Sequence, residues 1–210
     1  MDVKIVRNFY RDPDDIRKRA LESKYELISS GNYIGHDTID RGVNFPELET
    51  RLRELFPEDY YRVVCSRFRS AIDGDTHLSW IHSDSNERKA GWHVLVYLSK
   101  QHPEDGITLY DHDTYGTTTD IWVPSLTKDT ENTEIFRPVK TIPYEYNTAV
   151  ILDYSQFHSS VGHSGFGDDI TTSRLMHIIE ICDVRSAHYK YRISRPGACV
   201  PADDDPYSRK

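Results

Sequence analysis

The chain has 210 residues, a formal charge of −8 and 37% apolar residues, with 14 tyrosines. That length fits one domain, since single cores extend to about 250 residues before they split, and the apolar content excludes global disorder. The acidic balance argues against nucleic acid as the main partner, because phosphate binding draws on Lys and Arg.

The opening VKIVRNFY alternates like a strand. DPDDIRKRALESKYEL then carries an aspartate cap, a proline in the first turn and helical spacing at Ile16, Ala20, Leu21 and Leu27. FPELETRLRELFP predicts a second helix with Leu48, Leu52, Leu55 and Phe56 on one face and prolines at both ends. After Pro57 the character changes to short runs rich in Val, Ile, Tyr and Thr: YYRVVCSRFRSA, HLSWIHS, WHVLVYLS, GITLYDH, IFRPVKTI, TAVILDY and RLMHIIEICDV. Gly, Pro, Asn and Asp punctuate them. Two helices followed by seven or eight strands predict a mainly β fold with flanking α, a sandwich or jelly roll with the N-terminal helices on one sheet. One domain is expected over residues 1–195, with helical support in 1–57 and the β core in 60–190. Residues 116–134 are polar and read as a surface loop, and 196–210 as a mobile tail. Cys65, Cys182 and Cys199 form no CxxC pair, which predicts a reducing compartment and no disulfide framework. The lack of an apolar leader or membrane-length run predicts a cytoplasmic protein with no membrane contact.

His82-Ser83-Asp84 puts an imidazole and a carboxylate two residues apart. On a strand, residues i and i+2 share a face, so both side chains can reach one metal ion. His102-Pro103-Glu104 has the same spacing but a proline that breaks the strand. A third ligand must come from a later strand, and NTAVILDYSQFHSSVGHSG supplies His158, with His163 as its rival. Two histidines and one carboxylate on one face form the facial triad of non-haem Fe(II) oxygenases, with three positions left open. Arg174 heads the next apolar run, where a buried cation requires an anionic partner. Its fork suits the far carboxylate of a dicarboxylic 2-oxo acid, or an aspartate of the chain itself.

The order of these residues resembles the Fe(II)/2-oxoglutarate-dependent dioxygenases, especially the prolyl-4-hydroxylase-like branch. The HxD is followed by Tyr97-Leu98-Ser99, then Asp105-Gly106-Ile107-Thr108-Leu109-Tyr110, then NTAVILDYSQFH. Those stretches are similar to the branch's YLN or YLS strand, its GGxTxF strand and its GxAxxF strand leading to the distal histidine. The resemblance spans Cys65 to about Asp183. It implies a double-stranded β-helix, Fe(II) held by His82, Asp84 and His158, 2-oxoglutarate held by Arg174, and O2 as oxidant. Thr108 either hydrogen-bonds the co-substrate or fills its strand. Three departures stand out: Asp105 and Asn147 replace glycines, the stretch from His158 to Arg174 is long, and Ser79 stands where a co-substrate tyrosine is common. The implied activity is hydroxylation of a C–H bond in a small-molecule or peptide substrate. A jelly-roll or cupin-like metal-binding protein without turnover, and a zinc hydrolase with the same ligands, are the alternatives. Trp80, Trp92, Trp122, Tyr110 and Tyr115 read as core more than pocket, and His77, His93, His112, His177 and His188 as structural or surface residues.

Overall fold

A computed structural model of the chain describes residues 3–30, 33–75, 81–84, 89–100, 105–116, 133–161 and 165–194. Ten strands and three helices run through them in the order β1 (Lys4–Val6), α1 (Pro13–Glu22), β2 (Tyr25–Ser30), β3 (Tyr33–Thr38), α2 (Pro46–Leu55), β4 (Tyr61–Ala71), β5 (Gly91–Tyr97), β6 (Gly106–His112), β7 (Phe136–Pro143), β8 (Ala149–Asp153), β9 (His158–Ser160), β10 (Arg174–Asp183) and α3 (Ala187–Ile193). A seven-stranded sheet in the order β1-β8-β5-β10-β4-β3-β2 faces a three-stranded sheet in the order β7-β6-β9. Every pairing between named strands is antiparallel, which gives the expected mainly β jelly roll. No helix among the described residues is long and apolar enough to cross a membrane.

The central strand, β10, is buried at all ten positions. Its alternate residues meet different surroundings, because successive side chains point to opposite faces. Leu175, Ile179 and Ile181 join Val94, Val96 and Ile151 in a core closed by Ile16 and Ala20 of α1 and Leu48 and Leu52 of α2. Met176 and Ile178 pack with Tyr97, Ile107, Val150 and Leu152 between the two sheets. Full burial of such an aliphatic side chain contributes about 1.5–3 kcal/mol. On the helix side, His177 accepts this burial as a neutral ring: burial and the nearby Arg67 push its pKa down to about 3. Its two nitrogens meet Tyr10 at 2.7 Å and Ser66 at 2.8 Å.

The helices begin as the sequence reading expects. Asp12 accepts from the main-chain N–H of Asp15, and Pro13 and Pro46 occupy the first turns. The end of α1 differs, however. The helix stops at Glu22, and Leu27 lies on β2 at 60% exposure instead of on the apolar helix face. The hairpin β2–β3, the short β9 and α3 also go beyond the elements read from sequence. Cys65 is disulfide-bonded, against the expectation of no disulfide framework, while Cys182 is free and buried. The HLSWIHS run is described only from Ile81, and the tail 196–210 lies outside the described residues.

Asn147 shows how a departure from a glycine pattern is accommodated. It adopts φ 58°, within the left-handed region that asparagine tolerates. Its side chain then accepts from the N–H of Tyr10 and donates to the carbonyl of Tyr10, each at 2.8 Å. Asn147→Gly keeps the backbone conformation and removes both buried bonds, so a loss of about 1–3 kcal/mol is expected in urea unfolding. An unchanged midpoint would show that this clasp contributes nothing.

Candidate metal centre

His82 and His158 are brought together by their own main chains. The N–H of His82 donates to the carbonyl of His158 at 3.0 Å, and the N–H of His158 donates back at 2.9 Å. The N–H of Asp84 donates to the carbonyl of Tyr154 at 2.7 Å, which continues this extended pairing. As a result, one ligand atom from each of His82, Asp84 and His158 lies within 4.8 Å of the others. Nε2 of His82 is 3.6 Å from Oδ1 of Asp84, and Nε2 of His158 is 3.5 Å from Oδ2. His163, Ser79, Trp80, Trp122 and the His102-Pro103-Glu104 stretch lie outside the described residues.

The protonation states suit metal binding. Burial and the adjacent His82 push the pKa of His158 down to about 4, so its ring is neutral near pH 7. Nδ1 of His158 donates to the carbonyl of Gln156 at 2.8 Å, which leaves the Nε2 lone pair turned toward Asp84. Burial raises the pKa of Asp84, but His93, His158 and His82 outweigh it and hold the carboxyl well below the usual range.

A cavity of about 490 Å³ runs from this cluster to Arg174. Its walls follow from strand register. On β10, Arg174, Met176, Ile178 and Glu180 share a face, and Arg69, Arg67, Tyr97, Leu95 and His93 of β4 and β5 stand beside them. At the far end Nη2 of Arg174 donates to the carbonyl of Gly106 at 3.2 Å. Its Nε is 3.0 Å from Oδ2 of Asp105 but is not aligned for a hydrogen bond. Gly106 is required there: at φ 155° an added Cβ would meet the carbonyl oxygen of Ile142 at 2.1 Å. The Tyr97 hydroxyl is fully buried and has no hydrogen-bond partner among the described residues. An unpartnered buried donor beside a buried cation is a ready receptor for an anion.

Three expectations change here. Thr108 faces away from the cavity: its hydroxyl pairs with Thr141 at 3.0 Å, while Ile107, its neighbour on β6, lines the wall. His93 and His188, read as structural or surface residues, both line the cavity. Nδ1 of His93 lies 3.0 Å from Oδ2 of Asp84 and Nε2 lies 3.8 Å from Glu180. Tyr97 was read only as part of a strand motif, and nothing local marks its hydroxyl as unsatisfied. Trp92, Tyr110 and Tyr115 do pack against apolar clusters, as expected.

No protein-family model matches the sequence, and no curated protein matches it. Solved structures do match in fold. HygX from Streptomyces hygroscopicus, with nickel and 2-oxoglutarate bound, aligns at TM-score 0.58 and 12% identity over 86% of this chain and 82% of its own. The non-haem α-ketoglutarate-dependent epimerase SnoN of nogalamycin biosynthesis aligns at TM-score 0.57 and 14% identity over 87% of this chain and 76% of its own. An oxidoreductase of the 2OG-Fe(II) oxygenase family from Burkholderia pseudomallei aligns at TM-score 0.51 and 12% identity, over 86% and 85% of the two chains. The chain has the fold of the 2OG-Fe(II) oxygenases. Within that fold the His82-Asp84-His158 cluster and the buried Arg174 line one cavity.

One wall of the cavity is held by charge. Glu180 binds Arg67 at 2.6 Å and also Arg192, while Asp37 binds Arg67 at 2.9 Å and Arg69 through both oxygens. Burial raises the pKa of both carboxyls, but the arginines lower each to about 2. Both values lie below those of the unfolded chain, so the stabilisation is complete above about pH 4.5 and is lost as pH falls toward 2. His177 adds a second acid-sensitive component from about pH 6.5 to 3, because the unfolded chain binds its proton more readily. Stability measured by urea titration is expected to decline in both windows. In Asp37→Asn the steeper loss below pH 4.5 shrinks, and the variant is less stable at pH 7 by about 3–5 kcal/mol. A pH profile identical to wild type would remove Asp37 from this account.

Proposed function

We propose that the chain is an Fe(II)- and 2-oxoglutarate-dependent oxygenase that hydroxylates a C–H bond of a small molecule or peptide side chain. One observation carries the reading: a single cavity holds a His-Asp-His cluster at one end and a buried arginine with an unsatisfied tyrosine hydroxyl at the other. The donor set suits a non-haem iron, since two imidazoles and a carboxylate leave three positions open. His82, Asp84 and His158 would hold the metal, and Arg174 and Tyr97 would receive the far carboxylate of 2-oxoglutarate. Iron bound there, with 2-oxoglutarate and O2, supplies the oxidising chemistry for attack on a C–H bond, with release of succinate and CO2.

The chain's own residues position and shelter that chemistry. The Gln156 carbonyl orients the His158 ring, and His93 donates to Asp84 and limits the rotation of its carboxylate. Leu95, Ile107, Met176 and Ile178 make the stretch between the two ends apolar, which excludes water from it. Arg69, His188 and Arg192 border the rest of the cavity, which favours a polar substrate. Of the loops expected to recognise substrate, residues 85–88 and 117–132 lie outside the described residues. An epimerase shares this fold, so hydroxylation is the proposed outcome among more than one that the fold supports.

Purified protein with Fe(II), ascorbate and 2-oxoglutarate is expected to release succinate, and His158→Ala to lose more than about a hundredfold of that rate. No succinate from the wild type, together with stoichiometric zinc after anaerobic purification, would favour a hydrolase or a metal-binding protein without turnover. The positioning role of His93 is tested by Co(II) titration. His93→Ala should weaken metal binding by about 10–100-fold, and His93→Gln should recover part of it by restoring a donor. Equal affinities in all three proteins would reduce His93 to packing.

A further inference from the structure

Asp105 stands where the resembling pattern has a glycine, and it is buried against Arg174. Its Oδ1 accepts the N–H of Gly106 at 2.7 Å, and its Oδ2 lies 3.0 Å from Nε of Arg174. The two side chains are 7% and 9% exposed. Arg174 lines the cavity and Asp105 does not, so the carboxylate reaches the guanidinium from the β6 side. Nη2 of Arg174 also donates to the Gly106 carbonyl, on β6. On the cavity side stands Tyr97, whose buried hydroxyl has no partner among the described residues.

A buried guanidinium without a counter-charge is costly, and Asp105 meets that need when no anion is in the cavity. A carboxylate arriving from the cavity then finds a cation already neutralised, and two anions must share one guanidinium. With glycine at this position the arriving carboxylate would be the first counter-ion instead of the second. We propose that Asp105 is a specificity-determining residue of the co-substrate end: it is the resident counter-ion of Arg174 and lowers what a far carboxylate contributes to binding. The inference rests on the 2-oxoglutarate reading and adds that this site discriminates weakly between 2-oxo acids with and without a far carboxylate. The Tyr97 hydroxyl can donate to a far carboxylate, carbonyl or hydroxyl, most strongly to the carboxylate, and has nothing to donate to in a ligand with an apolar end.

Two ligands isolate the effect. 2-Oxoglutarate and 2-oxopentanoate share a carbon skeleton and differ only in whether the far end is a carboxylate or a methyl group. Binding of each to the full chain loaded with Ni(II), without O2, is measured by calorimetry for the wild type and for Asp105→Asn. The wild type is expected to prefer 2-oxoglutarate by less than about tenfold, and Asp105→Asn to widen the preference by at least about tenfold. The 2-oxopentanoate affinity should stay within about twofold, since that ligand presents no charge to Arg174. A preference that is unchanged or narrower in Asp105→Asn overturns the proposal, because it would make Asp105 a support for Arg174 and not its competitor. Should Asp105→Asn fail to fold, Asp105→Gly carries the same comparison. A wild-type preference of a hundredfold or more overturns the proposal without any variant. Wild-type protein that binds neither acid in the presence of metal removes the 2-oxoglutarate reading and this inference together. Binding of both acids without the widening removes the inference alone.

Discussion

The structure depends on a strand with no solvent-facing side. β10 lies between β4 and β5 and is buried along its whole length, so its two faces differ only in what they meet. One face closes the core under α1 and α2, and the other floors the cavity. A shift of one residue would drive Arg174 and Glu180 into the helix core and turn Leu175 and Ile179 into the cavity. The register change between Glu180 and Ile181 falls where the strand passes His93 and Asp84. Core packing and site construction are therefore one constraint.

Buried charge is the second organising element. Arg67 lies between Glu180 and Asp37, and His93 reaches from Glu180 to Asp84. A continuous chain of polar groups thus joins Asp84 to β3 and β4. Removing one member would leave its neighbours as buried charges with fewer partners, which costs more than the pair itself contributes. Such a wall resists rearrangement, and it holds the Asp84 carboxylate in place from behind.

Much of this was legible in the sequence, for identifiable reasons. The runs of Val, Ile and Tyr marked most strands, and the proline and aspartate signals marked α1 and α2. His82, Asp84 and His158 stood out because few side chains bind metals and these three came in a recognisable order. Arg174 was readable as a buried cation needing an anion. The partner it meets among the described residues is Asp105, which sequence flagged only as a departure from glycine. What was missed depends on contacts between distant strands. His93 joins Asp84 because β5 follows the ligand pair back into the sheet, and Thr108 faces outward because Ile107 and Leu109 take the inner positions. Short elements such as β9 and α3 lack enough residues to show a period. Leu27 fitted a helical spacing by coincidence, on a strand where it is exposed.

The reciprocal main-chain bonds between His82 and His158 have a consequence for how the cluster would take up the ion proposed for it. Those bonds belong to the β architecture and use only main-chain atoms, not the imidazoles. The two strands that carry the imidazoles are therefore held together by the fold itself, and little of the binding energy of an ion would go into bringing them together. Zinc-finger domains behave differently, since they fold only around their metal. Here folding and metal loading would be separable events. Which divalent ion filled the cluster would then depend on the supply of ions, within the limits set by two nitrogens and one carboxylate.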